Sequence, residues 1–246
     1  MTSHAYTEDQ LVEQPAIALF ADLGWATVSA MDETFGPAGT LARETKGDVV
    51  LVARLRAALE RLNPALPAEA VAAAVTAAVD ELTRDRSAMS LEAANREVYR
   101  LLKDGIRVSL PDRERGGQKN ERLRVVDWEE PANNDFLLVS QLSVTGPLYT
   151  CRPDLVGFVN GLPLVVIELK KPGVPARAAF DDNLTHYKQQ VPALFWTNAL
   201  LIASNGTDSR VGSLTADWER FFEWKRIARE DEPRRVSLEV MLRGTC

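Results

Sequence analysis

Leu164-Val165-Val166-Ile167 runs without a break into Glu168-Leu169-Lys170. Four consecutive aliphatic residues read as a strand buried on both faces, which requires a sheet with layers packed on either side. A charged group at the end of such a strand costs on the order of several kcal/mol unless something compensates it. Side chains alternate along a strand, so Glu168 and Lys170 share one face while Leu169 points to the other. A carboxylate and an ammonium thus emerge together from the end of a core strand. That pairing suits phosphodiester hydrolysis, in which carboxylate oxygens hold a hard cation and a lysine orients water or steadies developing charge.

A second carboxylate, Asp154 in Arg152-Pro153-Asp154, opens the preceding strand across the Asn160-Gly161 turn. Register decides whether it reaches Glu168. A two-residue turn would set Asp154 opposite Ile167 and aim it away from Glu168. A three-residue turn with Gly161 left-handed would pair Asp154 with Val166, diagonal to Glu168 on one face. The expectation is the three-residue turn, or else a compensating bulge. Glu-x-Lys alone carries little weight, because Glu44-Thr45-Lys46 and Glu223-Trp224-Lys225 also occur without an aliphatic strand before them. Pro-Asp upstream, the turn and the aliphatic run together raise the signal well above that background.

The rest of the chain supplies layers for such a sheet. Thr7 to Gln10 reads as a capping box that starts a helix, broken or restarted at Pro15 and ended at Gly24. Val52, Leu55, Leu59 and Leu62 form a helical stripe stopped by Asn63-Pro64. Further helices are expected over Ala68 to Leu82 and Ser90 to Leu102. After Gly105 the period becomes strand-like, so residues 1–105 are expected to form a helical region packed on a core of residues 106–246. Strands are expected over Phe136 to Val144, Asp154 to Val159, Leu164 to Lys170 and Ala199 to Ala203, with a helix over Pro175 to Gln189. This βββαβ order predicts an α/β fold with a mixed sheet flanked by helices. Pro111 to Arg124, with Arg113, Arg115, Lys119, Arg122 and Arg124, reads more simply as a solvated linker than as a phosphate-contacting loop.

Other chemistries find little support. The 246 residues, 46% hydrophobic, suffice for a buried core, and a net charge of -6 confines any nucleic-acid contact to local patches. Cys151 and Cys246 make no disulfide framework, and no secretory signal or long apolar run is present, which predicts a cytoplasmic protein with no membrane contact. His4 and His186 offer no serine triad, and no cluster of Cys and His suggests zinc. Trp128, Trp196, Trp218 and Trp224 read as core anchors rather than base-stacking groups.

Arg152-Pro-Asp-Leu-Val and Phe158-Val-Asn-Gly-Leu-Pro-Leu-Val-Val-Ile-Glu-Leu-Lys170 closely resemble the nuclease motif of type I restriction R subunits, in the PD-(D/E)xK nuclease superfamily. Asn133-Asn-Asp-Phe-Leu, Gln141-Leu-Ser-Val-Thr-Gly, Pro192-Ala-Leu-Phe, Ser204-Asn-Gly-Thr, Leu82-Thr-Arg and Ala94-Asn-Arg-Glu-Val-Tyr resemble the same family, so the likeness covers most of the chain. The resemblance implies a restriction-endonuclease-like core that cleaves double-stranded DNA using magnesium, with manganese as a substitute. It makes Asp154 and Glu168 metal ligands and Lys170 the catalytic lysine. Arg152 and Lys171 flank the motif as DNA-contacting candidates.

The family's helical Gln-x-x-x-Tyr corresponds here to Asn183 and Tyr187, one methylene shorter at the first position and still on one helix face. Tyr187 reads equally as a core ring. Glu13 resembles an acidic position that approaches the metal in related nucleases, although a solvated helix-start carboxylate is the simpler reading. Full-length R subunits act with methyltransferase and specificity subunits and carry an ATP-driven translocase. No Gly-Lys dipeptide, hence no P-loop, occurs in this chain, so it is not expected to bind ATP or translocate. The competing reading is a docking module for the methyltransferase or motor whose nuclease residues are idle.

Overall fold

The computed structural model describes residues 8–111 and 116–246. Thr7, and with it the proposed capping box, lies outside them, as do Arg113 and Arg115. A π-helical turn, Asp9–Glu13, continues directly into α1 (Gln14–Asp22). Pro15 is the second residue of α1, directly after the widened π turn; its missing N–H forgoes one bond to the preceding turn without ending the helix. The expected break is therefore a local widening, and the helix ends at Gly24, which has φ +91°.

Sequence periodicity gave no warning of β1 (Ala26–Ser29), which pairs in parallel with a strand more than a hundred residues later. The helical stripes appear as α2 (Val52–Leu62), α3 (Ala68–Thr83) and α4 (Leu91–Asp104), the last capped by the Ser90 hydroxyl accepting from Ala93 N–H. Fully buried Arg86 ties α3 to α4, donating to the Arg84 and Glu81 carbonyls and pairing with Glu97. The segment read as a linker is instead part of a hairpin of β2 (Ile106–Pro111) and β3 (Gln118–Leu123). Ile106, Val108, Leu110 and Leu123 are buried on one face of it, at whose margin their ladder partners Glu121 and Lys119 lie, and Arg107 and Arg122 occupy the other.

The strand expected over Phe136 to Val144 is shorter than that. It forms β4 (Phe136–Ser140), is turned aside at Gln141 with φ +57°, and resumes as β5 (Val144–Thr145), which pairs with β6 (Thr150–Cys151). β7 (Leu155–Val159) and β8 (Leu162–Leu169) follow close to expectation. A π-helical segment, Ala179–Leu184, leads into α5 (Thr185–Gln190), then β9 (Leu200–Ser204). Two further elements were not anticipated, β10 (Ser209–Gly212) and α6 (Leu238–Thr245).

Six strands form one mixed sheet in the order β1-β4-β7-β8-β9-β10, parallel at β1/β4 and β8/β9 and antiparallel elsewhere. Alternation sorts its side chains into two cores. Leu138, Leu155, Ile167, Leu169 and Ile202 face a layer that includes Phe20, Leu55, Leu59 and Met241. Leu137, Val156, Phe158, Val166 and Leu201 face the layer holding Leu184, Val191 and Phe195. The expected α/β architecture, restriction-endonuclease-like with helices on both faces, is the one observed. Among the described residues no helix is long and apolar enough to cross a membrane.

Trp128 departs from its expected core role. It is 58% exposed, with its indole N–H donating to the Leu102 carbonyl, whereas Trp196, Trp218 and Trp224 pack partly buried against the cores.

Candidate active site

Asn160 (φ +52°) and Gly161 (φ +80°) both take left-handed conformations, and Val159 pairs with Leu162. The turn is thus the two-residue kind, not the three-residue one. Asn160 holds it rigidly, because its side-chain amide donates to the Val125 carbonyl and Asn134 Oδ1 while its oxygen accepts from Asp135 N–H. By itself this turn would turn Asp154 away from Glu168. The register then shifts between Gly157 and Phe158, which pair with Val165 and Pro163 and leave Leu164 as the extra residue of a bulge. Pro163, lacking an N–H, is well suited to a bulge. Beyond it Val156 pairs with Val166 and Leu155 with Ile167, so the next position sets Asp154 opposite Glu168 rather than diagonal to it through Val166. Both then lie on the Val156/Val166 face, the one that α5 helps cover.

Glu168 is 3% exposed at the end of β8. Its Oε1 lies 3.5 Å from Lys170 Nζ and accepts from the Tyr187 hydroxyl at 3.4 Å. Its Oε2 is buried with no partner. Burial, reinforced by the neighbouring Asp154 charge and opposed by Lys170, pushes its pKa up to about 9. Asp154 Oδ2 accepts from Leu169 N–H at 2.7 Å, and burial raises its pKa although that bond opposes the shift. Lys170 is fixed by its backbone N–H donating to the Ser204 carbonyl, at the parallel junction of β8 and β9.

Asn183 Nδ2 donates to the Tyr187 hydroxyl at 3.0 Å, which in turn donates to Glu168. The ring of Tyr187 also packs against the second core, so it serves packing and site together. Burial beside Glu168 pushes the phenol's pKa upward, keeping it a donor. Glu13 is no solvated carboxylate. It is 7% exposed, its Oε2 accepts from Gln141 Nε2 at 2.8 Å, and burial raises its pKa to about 7. Gln141 Nε2 also lies 3.4 Å from Asp154 Oδ1, so this residue links the two acids. Sequence reasoning assigned Gln141 no role. Its trace in the sequence was the segment Gln141-Leu-Ser-Val-Thr-Gly, which resembles the family.

Arg152 and Lys171 are exposed on either side of the motif, Arg152 touching the Met31 sulfur, and His186 is exposed on α5. A cleft of ≈ 420 Å³ opens beside the site, lined by Asp9, Glu13, Thr27, Ser29, Met31 and Gln141 among others. A roomier one of ≈ 750 Å³ lies at the opposite, Asn160 end of the sheet, roughly 20 Å away at ~3.3 Å per strand residue. Its Lys119 and Arg124 are already paired with Glu121 and Asp127, in keeping with a solvated surface.

Among the described residues no three His, Cys, Asp or Glu side chains stand together as a ready metal cage. The site offers instead two opposed carboxylates, one with a free buried oxygen, next to an ammonium. The arrangement can hold a hard cation through oxygen and place a proton donor beside it.

Residues 5–220 match the family described as type I restriction enzyme R protein N terminus. The type I restriction enzyme HindI endonuclease subunit of Haemophilus influenzae is 38% identical over 241 residues, 95% of this chain and 22% of that protein. A relative from Methanocaldococcus jannaschii is 30% identical over 230 residues, 92% of this chain and 21% of its own length. The chain spans about a fifth of the length of these two relatives. A family match over most of the sequence, on top of the Asp154, Glu168 and Lys170 geometry, makes this chain a member of the type I restriction enzyme R protein N-terminal family.

Proposed function

We propose that this chain is the DNA-cleaving part of a type I restriction enzyme, hydrolysing phosphodiester bonds at Asp154, Glu168 and Lys170 with magnesium, or manganese in its place. The observation that carries the reading is the unpartnered, buried Oε2 of Glu168 opposite Asp154. A buried acceptor left alone costs roughly 1–3 kcal/mol, which a bound cation would offset. The donor set fits magnesium, which takes one or two carboxylates and keeps several waters. When bound, the ion would acidify a water and neutralise phosphate charge.

The chain's own groups do the remainder. Lys170 Nζ, oriented by Glu168 Oε1, stands where it can donate to a nucleophile or to a developing phosphorane oxygen. Tyr187, braced by Asn183, holds Glu168 Oε1 and leaves Oε2 for the cation. Arg152 and Lys171, both exposed beside the motif, would meet the DNA backbone. The methyltransferase and specificity subunits are the proposed partners, with ATP used by a motor outside these residues. Incubation of the chain with supercoiled plasmid tests the reading. Nicking should require magnesium or manganese and fall at least roughly 100-fold in Asp154→Ala and Lys170→Ala. Metal-independent nicking, or variants as active as wild type, would remove the assignment.

A further inference from the structure

We infer that Gln141 is a positioning residue of this site, clamping Glu13 and Asp154 through one side-chain amide and so bringing a helix-borne acid to the sheet's metal-facing pair. The inference rests on the nuclease reading above.

An amide nitrogen carries two hydrogens, so it can donate to two carboxylates at once. Gln141 Nε2 reaches Glu13 Oε2 at 2.8 Å and Asp154 Oδ1 at 3.4 Å. The backbone adds a third link, Gln141 N–H donating to the Asp154 carbonyl at 2.8 Å. Gln141 thus touches Asp154 through main chain and side chain together. Asp154 needs such support because it lies in a bend just outside the β7 ladder. Glu13 needs it more, since it arrives on a different element, where the π turn meets α1, and stands against the like charge of Asp154.

The backbone at Gln141 is the second reason. Its φ of +57° is one that glycine or asparagine adopts more readily. A merely structural turn would favour those smaller residues. A long amide held in this conformation aims its donor back across the end of β4 into the acid pair.

The test uses calorimetric titration of the DNA-free 246-residue chain with manganese. Gln141→Gly suits the positive φ, which offsets the loss of the whole side chain with its amide, so the metal-free melting temperature should stay near wild type. Manganese affinity should weaken roughly tenfold, the usual consequence of losing a group that orients a ligand. Glu13→Gln combined with Gln141→Gly should weaken binding no further than Gln141→Gly alone, because the two act as a unit. Should Gln141→Gly melt early, Gln141→Asn supplies the same readout, since it favours this backbone and keeps an amide too short to span both acids. Wild-type affinity in Gln141→Gly, with Asp154→Ala binding no manganese, would overturn the clamp and leave the nuclease reading standing. Fully additive losses would overturn it as well. Manganese binding undiminished in Asp154→Ala would sink both.

Discussion

Glu168→Gln should stabilise the metal-free protein at alkaline pH. Burial holds the Glu168 carboxyl at about 9, with Asp154 adding to the shift and Lys170 opposing it, whereas the unfolded chain ionises this group near 4.5. Between those values the folded state keeps a proton that the unfolded state releases, so stability falls as pH rises through the window. At roughly 1.4 kcal/mol per pH unit, the loss reaches about 5 kcal/mol at pH 8. Reorganisation around an ionised Glu168 lowers this, and a neutral amide avoids it, so we expect a gain of about 2–3 kcal/mol in Glu168→Gln. For a chain of this length that is about 5–10 °C in melting midpoint. At pH 5 the gap should shrink to under about 1 kcal/mol. Thermal melts with EDTA at both pH values measure it. Equal midpoints at pH 8, or a gap unchanged between pH 5 and pH 8, would refute Glu168 as a desolvated acid with an unsatisfied oxygen.

Tyr187→Phe keeps the ring that packs on the second core and removes the hydroxyl between Asn183 and Glu168. Plasmid cleavage should fall about tenfold with little loss of stability, as the 3.4 Å bond to the Glu168 carboxyl is long and therefore weak; full activity would reduce Tyr187 to packing. Asn160→Ala removes the buried amide that closes the β7–β8 turn and places alanine at a left-handed φ. Urea unfolding should show a loss of about 3 kcal/mol, and a change under about 1 kcal/mol would show that the turn does not depend on this side chain.

The amphipathic helices and the aliphatic strand ending in Glu168 were legible in the sequence because they are set by local periodicity, which one stretch of chain carries by itself. Glu168 and Lys170 were legible too, since a charge closing a core strand needs a compensating role wherever it lies. β1 and β10 were not legible, being four residues each and held by pairing with β4 and β9 rather than marked by a pattern of their own. α6 is also short, with Leu238, Val240, Met241 and Leu242 buried in the assembled core.

The sequence narrowed the register to two alternatives, a three-residue turn or a compensating bulge, and the fold took the bulge. The Asn160-Gly161 turn considered alone predicts that Asp154 faces away from Glu168, and one extra residue at Leu164 reverses that outcome. A bulge is selected by how both faces of the sheet fill, a property of the folded whole. The same holds for Glu13, an ordinary helix-start acid in one dimension. It joins the site only because parallel pairing of β1 with β4 brings its helix to the sheet end where Gln141 waits. Residue types and local period decided which chemistry was available, and long-range packing decided which of those groups meet.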